Sequence, residues 1–176
     1  MTLLPTEPGK VTLDLNKGFV LYTVLRVGEQ VQEGRKVIFD LATVDSPVKV
    51  TLGLDEWDNL GMWVTNLKGQ EFSSGTVRKE AIFDKRIAVC CQIEPGFVVR
   101  GTCSLKLTVN MKEVSEGKVE GSFGMAAAAT FSLGSSRAGS HNAAFEISHI
   151  AKYDAVHDKY TRARIMHALN LQYGLW

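Results

Sequence analysis

Ser46-Pro-Val-Lys-Val-Thr-Leu-Gly-Leu-Asp-Glu-Trp-Asp-Asn-Leu-Gly-Met-Trp-Val-Thr-Asn-Leu-Lys-Gly69 is the stretch whose reading decides the fold. It opens as a strand. Val48, Val50 and Leu52 alternate with Lys49, Thr51 and Gly53, so one face is apolar and the other polar. The period then changes. Trp57, Leu60, Val64 and Leu67 stand at i, i+3, i+7 and i+10, one stripe of a helix. Asp55 has the chemistry of an N-cap, Glu56 and Asp58 suit the positive end of the helix dipole, and Gly69 suits the left-handed position beyond its end. The stretch therefore predicts a strand running into a helix over 55–68.

The far end of the chain repeats this pattern. Ala143, Phe145 and Ile147 alternate with Ala144, Glu146 and Ser148. A helical series follows, Tyr153, Val156, Tyr160, Ala163 and Met166, with Ser148 as its cap. Strand patterns fill the rest: Phe19–Val27 and Lys36–Val44 as a hairpin, then Val77–Phe83, Ile87–Ile93, Phe97–Met111 and Val119–Leu133. Residues 1–10 form a loose lead-in, and Gly69 to Gly75 links two halves. The expected fold class is α+β: one domain over 11–176, made of two β-β-β-β-α pseudo-repeats (11–69 and 76–176) with mostly antiparallel sheet.

Composition bounds the function. At 176 residues and 45% apolar content the chain can bury one core, and no apolar run is long enough to span a membrane. Cys90, Cys91 and Cys103 are an odd set without metal-ligand spacing; buried free thiols in a reducing, intracellular compartment are the expectation. The opening residues lack a secretory pattern. Formal charge is +1, divided as −3 over residues 1–75 and +4 over 76–176, so any nucleic-acid site must be a local groove. His141, His149, His157 and His167 show no catalytic spacing, and no G-x-S-x-G, Walker A or H-E-x-x-H pattern occurs. The expectation is a protein that is not an enzyme, with no metal, cofactor, membrane or small-molecule substrate.

Two strand-into-helix units resemble those of the Whirly and PUR-repeat proteins. Lys17-Gly18-Phe19-Val20-Leu21 is similar to an opening strand of such a unit, and Val50-Thr51-Leu52-Gly53-Leu54-Asp55-Glu56-Trp57 to its closing strand and helix start. Phe145-Glu146-Ile147-Ser148 and the helix to Trp176 look like a Whirly ending; the Lys-Gly-Lys-Ala-Ala-Leu segment of that family is absent. The resemblance implies an oligomer, a dimer or tetramer, that binds single-stranded DNA or RNA without a cofactor. Single strands need cations and aromatic platforms. Phe19, Phe39, Phe97 and Phe131 join the wider set of aromatics; the site expected from the residues is Lys17, Tyr22, Arg26, Arg35, Lys36, Arg100, Lys106, Lys112, Phe123 and Arg137, with Lys106 and Lys112 sharing one solvent face. The alternative is a structural protein, such as a small viral coat subunit of β jelly-roll type; the many short strands and the Gly/Ala-rich stretch 119–133 fit it.

Overall fold

The structure is a computed structural model; it describes residues 10–30, 33–96, 102–121, 123–124, 126–134 and 141–176. Twelve strands and two helices are present among them. In chain order they are β1 (Lys10–Leu13), β2 (Phe19–Val27), β3 (Lys36–Thr43), β4 (Lys49–Leu54), β5 (Leu60–Thr65) and β6 (Glu71–Val77), then the single turn α1 (Lys79–Ile82). β7 (Arg86–Pro95), β8 (Thr102–Val109), β9 (Lys112–Glu120), β10 (Ala127–Leu133), β11 (His141–Asn142), β12 (Phe145–Tyr153) and α2 (Lys159–Tyr173) complete the chain.

The strands form two sheets. One runs β1-β10-β3-β4-β5-β6, with β11 pairing in parallel to β3; the other runs β12-β2-β7-β8-β9. Except for β11, neighbours are antiparallel. Strands from both halves of the chain stand side by side in each sheet. This is a β-sandwich, and it corrects the α+β reading of two β-β-β-β-α units.

Period-two alternation explains the layers. Phe19, Leu21 and Leu25 of β2, Val50, Leu52 and Leu54 of β4, Leu60, Met62 and Val64 of β5, and Ile87, Val89, Cys91 and Ile93 of β7 meet in one core between the sheets. The opposite faces of β2 and β7 give Val20, Tyr22, Val24, Ala88 and Cys90, which pack under Met166 and Leu169 of α2. β2 is thus apolar on both faces because each is covered.

The helix expected over 55–68 does not form. Residues 55–59 are a hairpin loop, and Leu60–Thr65 is a strand paired with β4 through Leu52↔Met62 and Thr51↔Trp63. Leu60 and Val64 lie four apart, a spacing in phase with both a helix and a strand. Trp57 and Leu67, which completed the helical stripe, are exposed. The second helix does form, but later than expected. Phe145–Tyr153 remains strand with a bulge at Ser148, and the cap is Asp158, whose carboxylate accepts from the Thr161 amide at 2.6 Å. Gly174 closes it in the left-handed conformation at φ 60°.

Candidate functional site: an aromatic cleft at the loop end of the sandwich

The β4–β5 loop is built around one carboxylate. Asp55 Oδ1 accepts from the amides of Trp57 and Asn59, both at 2.9 Å, and Asp55 Oδ2 accepts from the Asn59 side chain at 3.1 Å. Asp58 has φ 66°, a left-handed turn position that Asp tolerates. Its carboxylate takes a 2.6 Å ion pair from Lys36, whose side chain is only 2% exposed. Asn59 Oδ1 in turn accepts from the Lys79 amide at 3.1 Å and joins the loop to α1.

On this fixed frame Trp57 stands 66% exposed. Beside it is an open cleft of about 560 Å³, lined by Glu56, Trp57, Asp58, Asn59, Arg78, Lys79 and Glu80. Asp58 is neutralised by Lys36, and the remaining charged groups are two carboxylates against two cations. The cleft offers a flat indole with hydrogen-bonding groups of both signs around it and no net field.

The residues expected to bind a single strand are scattered instead. Tyr22 is fully buried, with its hydroxyl 2.9 Å from His157 Nδ1; burial, the first cause, and the nearby Cys90 thiol push its phenol well above the usual range. Lys36 is consumed inside the Asp58 pair. Arg35 lies over the Trp63 ring, 3.9 Å from its centroid, and pairs with Glu71. Arg26 pairs with Asp84, and Lys17 with Asp14 at 3.6 Å. Lys106 pairs with Glu94 at 2.8 Å. Lys112 lies on the next strand: the chain turns at Asn110 and Met111, both at positive φ, and Lys106 stands opposite Glu116. Phe19, Phe39 and Phe123 are core, and Phe131 stacks on Phe39. Phe97, Arg100 and Arg137 lie outside the described residues.

A second polar cluster sits where α2 meets its sheet. Gln92, fully buried, donates to the His157 carbonyl at 3.1 Å and accepts from the His157 amide at 3.3 Å. Glu94 receives Lys106, Gln92 and Arg162. Burial alone would raise its carboxyl; the hydrogen bonds from Lys106 and Gln92 and the charges of Lys106 and Arg162 outweigh that and hold it below the ordinary range. Burial pushes the Cys90 thiol up to about 12 and Cys103 up to about 11, which makes them poor nucleophiles. All three cysteines are buried and free. Among the described residues, no three His, Cys, Asp or Glu side chains gather as a metal site.

No protein-family model matches the chain, and no curated protein matches it either. Solved structures do. The receptor binding domain of botulinum neurotoxin D superposes with a TM-score of 0.66 at 9% identity, over 90% of this chain and 39% of that one. The binding domain of botulinum neurotoxin DC in complex with SialylT gives 0.61 at 12% identity, over 88% and 36%. The native heptameric SAP-like pentraxin from Limulus polyphemus gives 0.58 at 12% identity, over 88% and 72%. The chain spans little more than a third of the length of the toxin binding domains. At these identities the likeness is one of fold. It overturns the single-strand-binding reading, which rested on a fold the chain does not have, and sides with the jelly-roll alternative.

Trp57, on the helical stripe that the spacing predicts, is instead an exposed loop residue. Its signal is local: one Trp among Asp55, Glu56, Asp58 and Asn59 has the polarity of a loop, whatever its spacing to Leu60.

Proposed function

We propose that the chain is a non-catalytic recognition module, a β-sandwich that binds a saccharide at the Trp57 cleft. The observation that carries this reading is the exposed indole on a loop immobilised by Asp55 and by the Lys36–Asp58 pair. Sugar rings carry apolar C–H faces and a rim of hydroxyls. An indole takes the face; Asn59, Glu56, Glu80, Arg78 and Lys79 supply donors and acceptors for the rim. The even balance of charge favours a polyhydroxylated ligand over a polyanion. Support also comes from the fold neighbours, which are binding domains by their titles.

The structural alternative, a coat-type subunit, shares the two-sheet fold. It needs chain-to-chain contacts, and one pair of sheet edges is guarded against strand addition: Lys152 of β12 donates to the Thr12 carbonyl of β1, and β12 carries a bulge. The saccharide reading is therefore preferred.

The test is a glycan array followed by titration calorimetry with Trp57→Ala. Loss of a central Trp contact should weaken binding by about 2 kcal/mol, roughly thirtyfold, while the melting temperature stays close to the parent's because Trp57 is mostly exposed. An array without any bound saccharide, or an unchanged affinity in Trp57→Ala, would sink the reading.

A further inference from the structure

His157 gathers the ties at the start of α2. The chain leaves β12 at Tyr153, crosses residues 154–158 and enters the helix at Lys159. The fully buried Gln92 side chain holds both backbone groups of His157, and Arg162 Nη1 donates to the same carbonyl at 2.9 Å. The ring is held as well. Nδ1 lies 2.9 Å from the Tyr22 hydroxyl, and the imidazole stacks on Tyr22 with centroids 5.7 Å apart and tilts against Tyr153 at 4.9 Å.

Beyond this anchor the helix is lightly seated. Its buried residues are Met166, Leu169 and Asn170, and the two apolar ones cover Val20, Tyr22, Val24, Ala88 and Cys90. Among the described residues, the core between the sheets takes no side chain from α2. The helix can therefore leave without opening the sandwich.

The ring contact suits a neutral imidazole. Burial, the first cause, keeps the Tyr22 phenol protonated, so its O–H donates and Nδ1 accepts. An imidazolium has an N–H on both nitrogens. It would meet the phenol with a second donor and turn the phenol proton toward the Cys90 thiol, a weak acceptor. Surrounding charges give little relief. Arg162 of α2 repels the new cation, and Asp158 attracts it but is committed to the Thr161 amide. Glu94 of β7 and Glu113 of β9 are taken up by Lys106 and Arg162, and Tyr153 of β12 presents its ring.

We propose that His157 is an acid-operated latch: when its imidazole takes up a proton, α2 swings off about residues 154–158 and uncovers Val20, Tyr22, Val24, Ala88 and Cys90 while the sandwich stays folded. Linkage gives the direction. Burial is the main cause that depresses the seated His157, whereas a freed imidazole returns to about 6.5, so release is favoured as pH falls below that value. His149, beside Tyr173 toward the other end of the helix, is lowered by burial and acts the same way. The latch uses none of the residues at the Trp57 cleft and stands independently of saccharide binding.

The cysteines of the full chain report on it. Cys90 lies under α2, whereas Cys91 and Cys103 lie in the core between the sheets. The chain is labelled with 4,4′-dithiodipyridine from about pH 7.5 to about pH 5, each rate is normalised to the urea-unfolded chain at the same pH, and mass mapping assigns the thiols. Cys90 labelling should quicken by up to about tenfold per pH unit below about 6.5, as one coupled proton requires, while Cys91 and Cys103 stay protected. His157→Gln keeps an oxygen that can accept from Tyr22 but does not titrate, so Cys90 labelling should lose most of its pH dependence, whatever its level at neutral pH. Hydrogen exchange on the parent gives a reading that needs no variant: amides of 160–173 should lose protection in acid before those of β2 and β7. Equal acceleration at all three thiols overturns the latch, because it reports unfolding of the whole sandwich. So does Cys90 labelling that ignores pH, or a His157→Gln variant with the parent's full slope.

Discussion

Lys36 illustrates how one residue can be misread when its partner is distant in sequence. An ammonium on a strand end reads as a solvated cation, yet it is enclosed with the Asp58 carboxylate, 22 residues away. Removing one partner leaves the other charge buried and unpaired, which costs more than the pair contributes. Asp58→Asn isolates this effect, because Asn tolerates the same left-handed backbone. It should destabilise the protein by about 2–3 kcal/mol in urea unfolding; the full penalty of a buried pair is discounted because Asp58 is 28% exposed. Adding Lys36→Met should recover part of the loss. A double variant less stable than Asp58→Asn would show that Lys36 packs through its stem rather than through its charge.

At the scale of elements, the β4 alternation, both faces of β2 and the β7 core positions were legible, since period two survives whichever sheet a strand joins. β5 was not. A strand with both faces covered has no polar phase to betray it, and Asp55 serves a hairpin loop with the same carboxylate-to-amide bonds by which it would cap a helix. α2 was legible as a helix, but its seat was not, because Gln92, Tyr22 and Glu94 hold it from strands far away in the chain. That seat has a pH dependence. Burial, the first cause, lowers the His157 pKa, Asp158 opposes this and Arg162 adds to it; burial also lowers His149. A histidine depressed in the folded state binds its proton more readily when unfolded. Its contribution to stability is complete above the ordinary value of about 6.5 and is lost as pH falls through the lower folded value. Glu94, also depressed, acts in the same direction at more acid pH. Unfolding free energy should therefore decline as pH falls below about 6.5, and His157→Gln should flatten the upper part of that decline. A variant that keeps the parent's full slope between pH 5 and 7 would remove His157 from the account.

Seen as a whole molecule, the sandwich places its open surfaces where its chemistry lies. One pair of sheet edges is joined by Lys152 and Thr12. At the other, β9 crosses so close to β6 that a Cβ on Gly117 would strike the Ser73 carbonyl oxygen and crowd Ser74. Ser115-Glu116-Gly117 has the composition of a turn, and the sequence holds no sign that another strand's backbone will pass there. In the fold it is a strand residue whose missing side chain lets the two sheets meet. With both seams drawn in, the loop end bearing Trp57 is left open beside its cleft. Gly117→Val tests this closure. The obstacle is backbone rather than a flexible side-chain tip, so β9 and β6 must part, at a cost of about 1–3 kcal/mol and a melting temperature lower by roughly 4–10 °C. Hydrogen exchange should quicken in β6 and β9 before β2 and β7, which lie deeper in their sheets. Gly117→Val melting like the parent, or loosening β2 as early as β9, would mean the seam does not hold the sheets together.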